Sequence, residues 1–345
     1  MIVLLLLLLY IILYNLQSIS RKNNFFYLIA FLFLFLFYNF DNHSLHPDIE
    51  PYQNVFYSMS DSYKKSMDRY NWEYGYGLLN YVIHHIYPNF NLFYLIYSII
   101  LIVCNLITIK RYAVSPFLTF TLYFLSCFLS LFLMRQYIAM SICLLTIPYI
   151  IKRKIFPFIL LSLIAATFHT TSFIWLLTYF IYKIPINVKG IIIFVGGAII
   201  IGNSISVLLE NMVELELFSK LDSYISDDVE EYTWKNFFIS FMTLLYFILV
   251  LKKDVLNLNG VMKFFFLLYC VSLCFDVFNM LGTSFTAFYR LKLFYSFASV
   301  YLISYATMHI RNVETRTVAA IFFIVLNIYL ANNTIESQGG LDFVI

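Results

Sequence analysis

Apolar residues run in blocks along the whole chain, and the polar residues between them are few and mostly gathered in short connections. A helix needs about 20 predominantly apolar residues to cross a bilayer, fewer if it is short or broken. Drawn on that rule, the segments are 2–19, 25–40, 92–109, 114–132, 136–151, 155–168, 171–182, 190–209, 236–251, 261–280, 291–310 and 317–335. The pattern predicts an all-α polytopic membrane protein with about 12 membrane segments, forming a single transmembrane domain over residues 1–345. Two polar stretches, at about 41–91 and 210–235, are too long for tight turns and are expected as loops on one side of the membrane.

Two blocks are not continuous helices. Residues 155–182 carry the polar run His169-Thr170-Thr171-Ser172 at their centre, with Lys154 and Lys183 at the ends. The chain is expected to dip through the bilayer and return, with His169 at the turning point. Residues 114–151 repeat this with Met134-Arg135-Gln136 at the turn. Broken backbone is tolerated at membrane depth only where it lines a cavity or is buried in protein, so both turns are expected to border a pocket.

Basic residues in short connections set orientation. Arg21, Lys22, Lys110, Arg111, Lys152, Arg153, Lys154, Lys183, Lys189, Lys252, Lys253, Lys263, Arg311 and Arg316 fall on one side, with only Asp254 and Glu314 as acids there. That side is read as cytoplasmic, which puts both termini, both long loops and the turns at Arg135 and His169 outside. Residues 1–19 lack a basic start and an A-x-A site, so the first segment is expected to stay as a helix rather than be cleaved.

Composition agrees with the class: 62% of residues are hydrophobic, 12% are charged, and the mean hydropathy is +0.82. Such a chain has no room for a soluble domain, and nothing in it suggests nucleic-acid binding. The five cysteines lie inside apolar runs without C-x-x-C spacing and read as small buried hydrophobes. No repeat is visible.

Against this background a few side chains stand out. A charged group at membrane depth costs about 3 kcal/mol on the insertion scale and marks a candidate site. Arg135, His169 and Arg290 all come out near the external face. Arg135, with Gln136 beside it, either snorkels to lipid headgroups or faces a cavity, where its planar guanidinium would grip two phosphate oxygens at once. His169 is either a hydrogen-bonded turn residue or the acceptor of a hydroxyl proton. Arg290 and Lys292 open a helix at its external end, where free N–H groups add to the attraction for anions. Asp276 is the single acid inside a span and either caps a partner helix or lines the cavity. Asp48 and Glu50 form a D-x-E, a three-residue pattern similar to that of metal-dependent transferases that use polyprenyl phospho-sugars. The Tyr-rich stretch over 52–97 either belongs to the interfacial belt or supplies platforms for sugar rings.

The order of these features resembles the EpsG family of Wzy-type exopolysaccharide and O-antigen polymerases. The resemblance rests on Asp48-x-Glu50-x-Tyr52, Trp72-Glu73-x-Gly75-Tyr76, Arg135-Gln136-Tyr137-Ile138-Ala139, the basic turn Lys152-Arg153-Lys154, Ala166-Thr167-Phe168-His169-Thr170 and Tyr289-Arg290. It implies a glycosyltransferase C-like fold in the bacterial inner membrane, with the active site facing outward. The enzyme would polymerise polyprenyl-diphosphate-linked oligosaccharide repeat units, without cofactor or metal. By position, Arg135 and Arg290 would hold diphosphate and His169 would activate or orient the acceptor. Glu73 would help shape the acceptor site, with Gln136, Asp48, Glu50, Tyr52, Tyr289, Lys292 and Asp276 as further substrate-binding candidates. A chain-length regulator and a flippase are implied partners beside the bilayer itself. The family reads Glu-Pro-Gly-Tyr where this chain has Glu73-Tyr74-Gly75-Tyr76, which leaves the shape of that loop open.

Two other classes share some of these features. A lipid-linked oligosaccharide flippase also needs cations for diphosphate, but along a path reaching both faces. A metal-dependent polyprenyl-phosphate-sugar transferase would use Asp48 and Glu50 as ligands.

Overall fold

The computed structural model describes residues 24–40, 49–60, 63–70, 72–126, 129–187, 230–258, 260–281 and 286–337. The expected segments at 2–19 and 190–209 and most of the stretch 210–235 lie outside the described residues. Among the described residues every regular element is helical. In chain order these are α1 (Asn24–Phe40), α2 (Ile49–Ser58), α3 (Tyr63–Tyr70), α4 (Tyr74–Ile86), α5 (Phe90–Tyr112), α6 (Pro116–Ser126), α7 (Leu129–Phe132), α8 (Met134–Leu144), α9 (Ile147–Ile151) and α10 (Ile155–Phe168). A 3-10 helix, Thr170–Leu177, runs into α11 (Thr178–Ile181), and then follow α12 (Glu230–Leu251), α13 (Gly260–Leu281), α14 (Thr286–Ser296), α15 (Ala298–His309) and α16 (Val313–Ser337).

Among the described residues four helices are long and apolar enough to cross a membrane, over Phe90–Tyr112, Trp234–Asn257, Gly260–Asn279 and Val313–Asn333. At 1.5 Å per residue, the 23 residues of α5 reach about 35 Å, more than the apolar thickness of a bilayer. Shorter apolar helices cover Asn24–Asn39, Pro116–Ser126, Ile155–Phe168 and Thr170–Ile181. Several helices expose apolar side chains: Phe25, Leu28 and Leu32 on α1, Phe156 and Leu160 on α10, Trp234 and Phe238 on α12, Val318 and Phe322 on α16. Continuous apolar faces of this kind are unfavourable in water and favourable against lipid.

By internal packing the chain forms two compact units. The first comprises Met1–Ile147, Phe156–Phe173 and Arg311–Ile345. Its centre is α5, started by the Asn89 side chain, which accepts from Asn91 N–H at 2.8 Å, and ended beside Lys110 and Arg111, whose charge suits a helix C-terminus. α1 runs antiparallel to α5: Lys110 Nζ donates to Asn24 Oδ1 at 2.7 Å at one end, and Asn39 Nδ2 donates to Ser98 Oγ at 3.0 Å nearer the other. On another face, Asn105 Nδ2 donates to Ser141 Oγ at 3.0 Å and ties α5 to α8. Buried amides in an apolar bundle must find such partners, since each unmet group costs roughly 1–3 kcal/mol. α16 packs on α6.

The stretch 41–91, expected as a loop, carries α2, α3 and α4. α2 buries Ile49, Tyr52, Val55 and Phe56, a spacing that places them on one helical face. That face packs on α4 and α5. Loop composition here hid a small helical layer, because its core is a few scattered aliphatics, Val55 and Met59, with Tyr63, Tyr70, Trp72 and Tyr81 packed against them, amid otherwise polar residues.

The second unit comprises Pro148–Ile155 and Ile174–Ile310. α13 is its axis, packed by α11, α12, α14 and α15. Trp175, with no exposed surface, lies against Phe264, Tyr295 and Phe297, and Tyr295 Oη donates to the carbonyl of Ile174 at 2.7 Å. The basic turn at 152–154 folds back with Arg153 at φ 56°, its guanidinium 3.6 Å above the Tyr179 ring.

One close approach fixes the geometry that matters most. A Cβ on Gly75, in the first turn of α4, would lie 2.7 Å from Thr167 Cβ and 2.8 Å from the Thr167 carbonyl oxygen on α10. Only glycine lets the two backbones meet there. Gly75→Ala should therefore destabilise the protein by about 1–3 kcal/mol through overpacking. Thermal melting of purified protein in detergent checks this: the melting temperature should fall in Gly75→Ala, and adding Thr167→Gly should lower it by less than the sum of the two single changes, because it removes the side-chain part of the clash and leaves the carbonyl.

Candidate functional site

The approach of α4 to the end of α10 brings Glu73 to His169. Glu73 is the N-cap residue of α4, with φ −69° and ψ 140°, and its carbonyl accepts from Gly77 N–H at 3.0 Å. Its side chain does not cap its own helix. Tyr74, at the first helical position and 74% exposed, stands where the resemblance drawn from the sequence implies proline. Proline is favoured at that position because no N–H is needed there, and it wants an extended residue before it, which Glu73 is. The extended Glu73 backbone is thus one that a proline at position 74 would also accept.

α10 ends at Phe168, and His169 N–H still reaches the Ala165 carbonyl at 3.1 Å. The 3-10 helix then begins at Thr170, and Ser172 N–H bonds the His169 carbonyl at 3.0 Å. The break expected in the middle of 155–182 thus falls at His169. The first N–H groups of a helix have no partner within it, and the Glu73 carboxylate meets one of them: Thr170 N–H donates to Oε1 at 3.1 Å.

Glu73 gathers two further groups. Arg135 Nη1, from the first turn of α8, donates to Oε2 at 2.6 Å, and His169 Nδ1 lies 2.9 Å from Oε1. The Arg135 guanidinium also stacks over Trp72, 4.4 Å from the ring centroid. Trp72 is in turn packed by Tyr52 and Tyr76, and Tyr52 Oη donates to the Phe132 carbonyl at 3.2 Å. Three stretches of chain meet at one carboxylate: the starts of α4 and α8 and the junction between α10 and the 3-10 helix.

The electrostatics favour an ionised Glu73. Burial opposes its charge, but the His169 hydrogen bond, the Arg135 and His169 charges and the Thr170 N–H outweigh that and hold the carboxyl down at about 2. Around this anion lie buried polar atoms with no partner in the protein: Arg135 Nε, His169 Nε2, Thr171 Oγ1 and Ser172 Oγ. Buried polar groups without partners are costly, and their gathering marks a place for ordered water or a polar ligand. A guanidinium held through Nη1 still offers its Nε edge, the arrangement that grips a phosphate oxygen pair.

The other candidates are placed as follows. Gln136 is buried in α8 next to Arg135. Glu50 is exposed on α2, and Asp48 lies outside the described residues. In the second unit, Asp276 of α13 and Lys292 of α14 form a buried ion pair at 2.6 Å, and Lys292 Nζ also reaches Ser240 Oγ of α12 at 3.4 Å. Tyr289 and Arg290 lie half-buried on α14. Asp276 Oδ2, Asn279 Oδ1 and Ser272 Oγ, on the same stripe of α13, are buried without a hydrogen bond. Among the described residues no group of three His, Cys, Asp or Glu is arranged to hold a metal ion.

Sequence reasoning singled out Arg135, His169 and Glu73 one at a time, and the structure joins them. It did not reach Thr170 as a partner of Glu73, or Trp72 as the ring under Arg135. Only the proximity of Trp72 to Glu73 in the chain hinted at the latter.

Apolar helices holding a partly buried Arg–Glu–His cluster define a membrane protein with a built polar centre. The chain belongs to the EpsG family, whose model matches residues 24–344, and which is a family of polysaccharide polymerases. No curated protein and no solved structure matches it.

The ionised state of Glu73 has a pH signature. A carboxyl depressed from its ordinary 4.5 to about 2 stabilises the fold above about pH 4.5, and that contribution is lost as pH falls toward 2. The melting temperature of wild type should exceed that of Glu73→Gln at neutral pH and at pH 5, with the gap closing between about pH 4.5 and 2.

Proposed function

We propose that this protein polymerises oligosaccharide repeat units carried on polyprenyl diphosphate, at the outer face of the bacterial inner membrane. The observation that carries the reading is the Glu73–Arg135–His169 cluster, built by an EpsG-family chain at the turns of its broken segments. The proposal includes a glycosyltransferase C-like bundle of about 12 membrane segments with both termini and this cluster outside, in keeping with the basic residues on the opposite side.

In the reaction the acceptor sugar hydroxyl gives its proton to His169. Its oxygen bonds the anomeric carbon of the lipid-linked chain, and the bond from that carbon to diphosphate breaks, the electron pair leaving with diphosphate. Negative charge grows on the leaving group, and fixed cations in a site of low dielectric stabilise it better than water does. Arg135 supplies one such cation through its unpartnered Nε edge. Gln136 is assigned a polar substrate contact beside it, and in the second unit Arg290 and Tyr289 are assigned cationic and polar substrate contacts of their own. Lys292 and Asp276 offer a second polar cluster for sugar or phosphate groups in their own unit. A chain-length regulator and a flippase would act with the polymerase.

Arg135→Lys keeps the charge and loses the two-pronged geometry, while His169→Ala removes the proton acceptor. Each should cost about 10²–10³ in rate, or about 2.7–4 kcal/mol. Both variants should reach the membrane at normal levels and accumulate single lipid-linked repeat units without polymer. Normal polymer from stable variants would remove these residues from the site.

Because cationic side chains take the place of a metal, polymer formation in proteoliposomes should be unchanged by EDTA. Loss on chelation with recovery on adding a divalent cation would favour the transferase centred on Asp48 and Glu50.

A further inference from the structure

Glu73 is already engaged by the protein at both oxygens. One carboxylate oxygen takes the Thr170 N–H at 3.1 Å and faces His169 Nδ1 at 2.9 Å, and the other takes Arg135 Nη1 at 2.6 Å. Such an acid has little capacity left for a substrate hydroxyl. What it does have is control over two neighbours. A carboxylate can only accept hydrogen bonds, and Glu73 stays ionised down to about pH 2. The hydrogen in its bond to the imidazole therefore belongs to Nδ1. In the neutral ring the lone pair then lies on Nε2, the buried nitrogen with no protein partner. The position of Glu73 is itself over-determined by the close meeting of Gly75 and Thr167, two residues from Glu73 and from His169 respectively.

We infer that Glu73 is the positioning residue of this centre. It fixes His169 as the Nδ1–H tautomer, which assigns Nε2 as the atom that takes the acceptor hydroxyl proton, and its second oxygen turns the Nε edge of Arg135 toward the leaving diphosphate. This rests on the polymerase reading and changes the part Glu73 plays in it, from a contact of the acceptor sugar to the group that arms the base. During transfer the proton moves from the hydroxyl to Nε2 while the C–O bond forms and the anomeric bond to diphosphate breaks. The imidazolium that results lies beside the Glu73 carboxylate, which remains ionised. The proton then leaves from Nε2 to water, and the ring returns to the same tautomer.

The test uses the full chain labelled with ¹⁵N-histidine in lipid bilayers. The chain has six histidines, and the His169 signals are identified by their absence in His169→Asn. Solid-state NMR of the wild type should show Nδ1 protonated and Nε2 bare, and Glu73→Ala should abolish that preference. In polymerisation of polyprenyl-diphosphate-linked repeat units from a source strain lacking the enzyme, Glu73→Ala should lower kcat about 10²-fold or more with a smaller change in KM. Glu73→Gln should recover part of the rate and keep the tautomer, because its amide oxygen still accepts from Nδ1–H while its NH₂ group opposes Arg135. If Glu73→Ala does not fold, Glu73→Gln decides: a retained tautomer with an intermediate kcat supports the inference, and wild-type kcat overturns the Arg135 part of it. A wild-type ring protonated at Nε2, a tautomer indifferent to Glu73→Ala, or an effect on KM alone would overturn it. If the tautomer is as expected and the wild type makes no polymer, the polymerase reading fails and the role of Glu73 in fixing the imidazole stands.

Discussion

A single half-buried carboxylate holds this centre together. Glu73 accepts from Arg135, His169 and Thr170, and these donors come from positions 62, 96 and 97 residues away in the chain. Without it a guanidinium and an imidazole would face each other across a partly buried space with no counter-charge, a costly arrangement in low dielectric. Without them the carboxylate would be an unpaired buried anion. Each member makes the others tolerable, and the cluster leaves over the atoms that chemistry needs: one imidazole nitrogen and one edge of a guanidinium.

The bundle around it serves that arrangement. Outward faces are apolar, as a lipid solvent demands, while within each unit some of the buried polar side chains are paired across helices: Asn105 with Ser141 and Tyr38 with Ser130 in the first, Asp276 with Lys292 in the second. The broken segment at Phe168–Thr170 is expensive in a membrane because it frees backbone groups. Glu73 takes up one of these, Thr170 N–H, so the group that orients the histidine also repairs the break that exposes it.

Much of this architecture was legible in the sequence. Apolar blocks predicted helices that the structure places at nearly the same residues, such as 92–109 against Phe90–Tyr112 and 261–280 against Gly260–Leu281. The interruption at His169 was legible from four polar residues inside an apolar run. Two kinds of information were not. Helices α2 to α4 escaped notice because their cores are built from tyrosine and isolated aliphatics, which read as polar loop by composition. The pairings escaped because nothing in a linear pattern ties residue 73 to 135 and 169, or Asp276 to Lys292. Each charge was legible as unusual, and its partner is a product of packing. Gly75 shows the same limit: its presence in the motif is plain, whereas its reason, the backbone of Thr167, appears only in three dimensions.

The most direct measurement is a structure of the full chain in a lipid nanodisc with a polyprenyl-diphosphate-linked repeat unit bound. The account predicts diphosphate oxygens on the Nε edge of Arg135 and an acceptor hydroxyl within hydrogen-bond reach of His169 Nε2. Glu73 should still lie between Arg135 Nη1 and His169 Nδ1, touching no sugar. Diphosphate bound away from Arg135, or Glu73 released from His169 to bind the sugar, would contradict it.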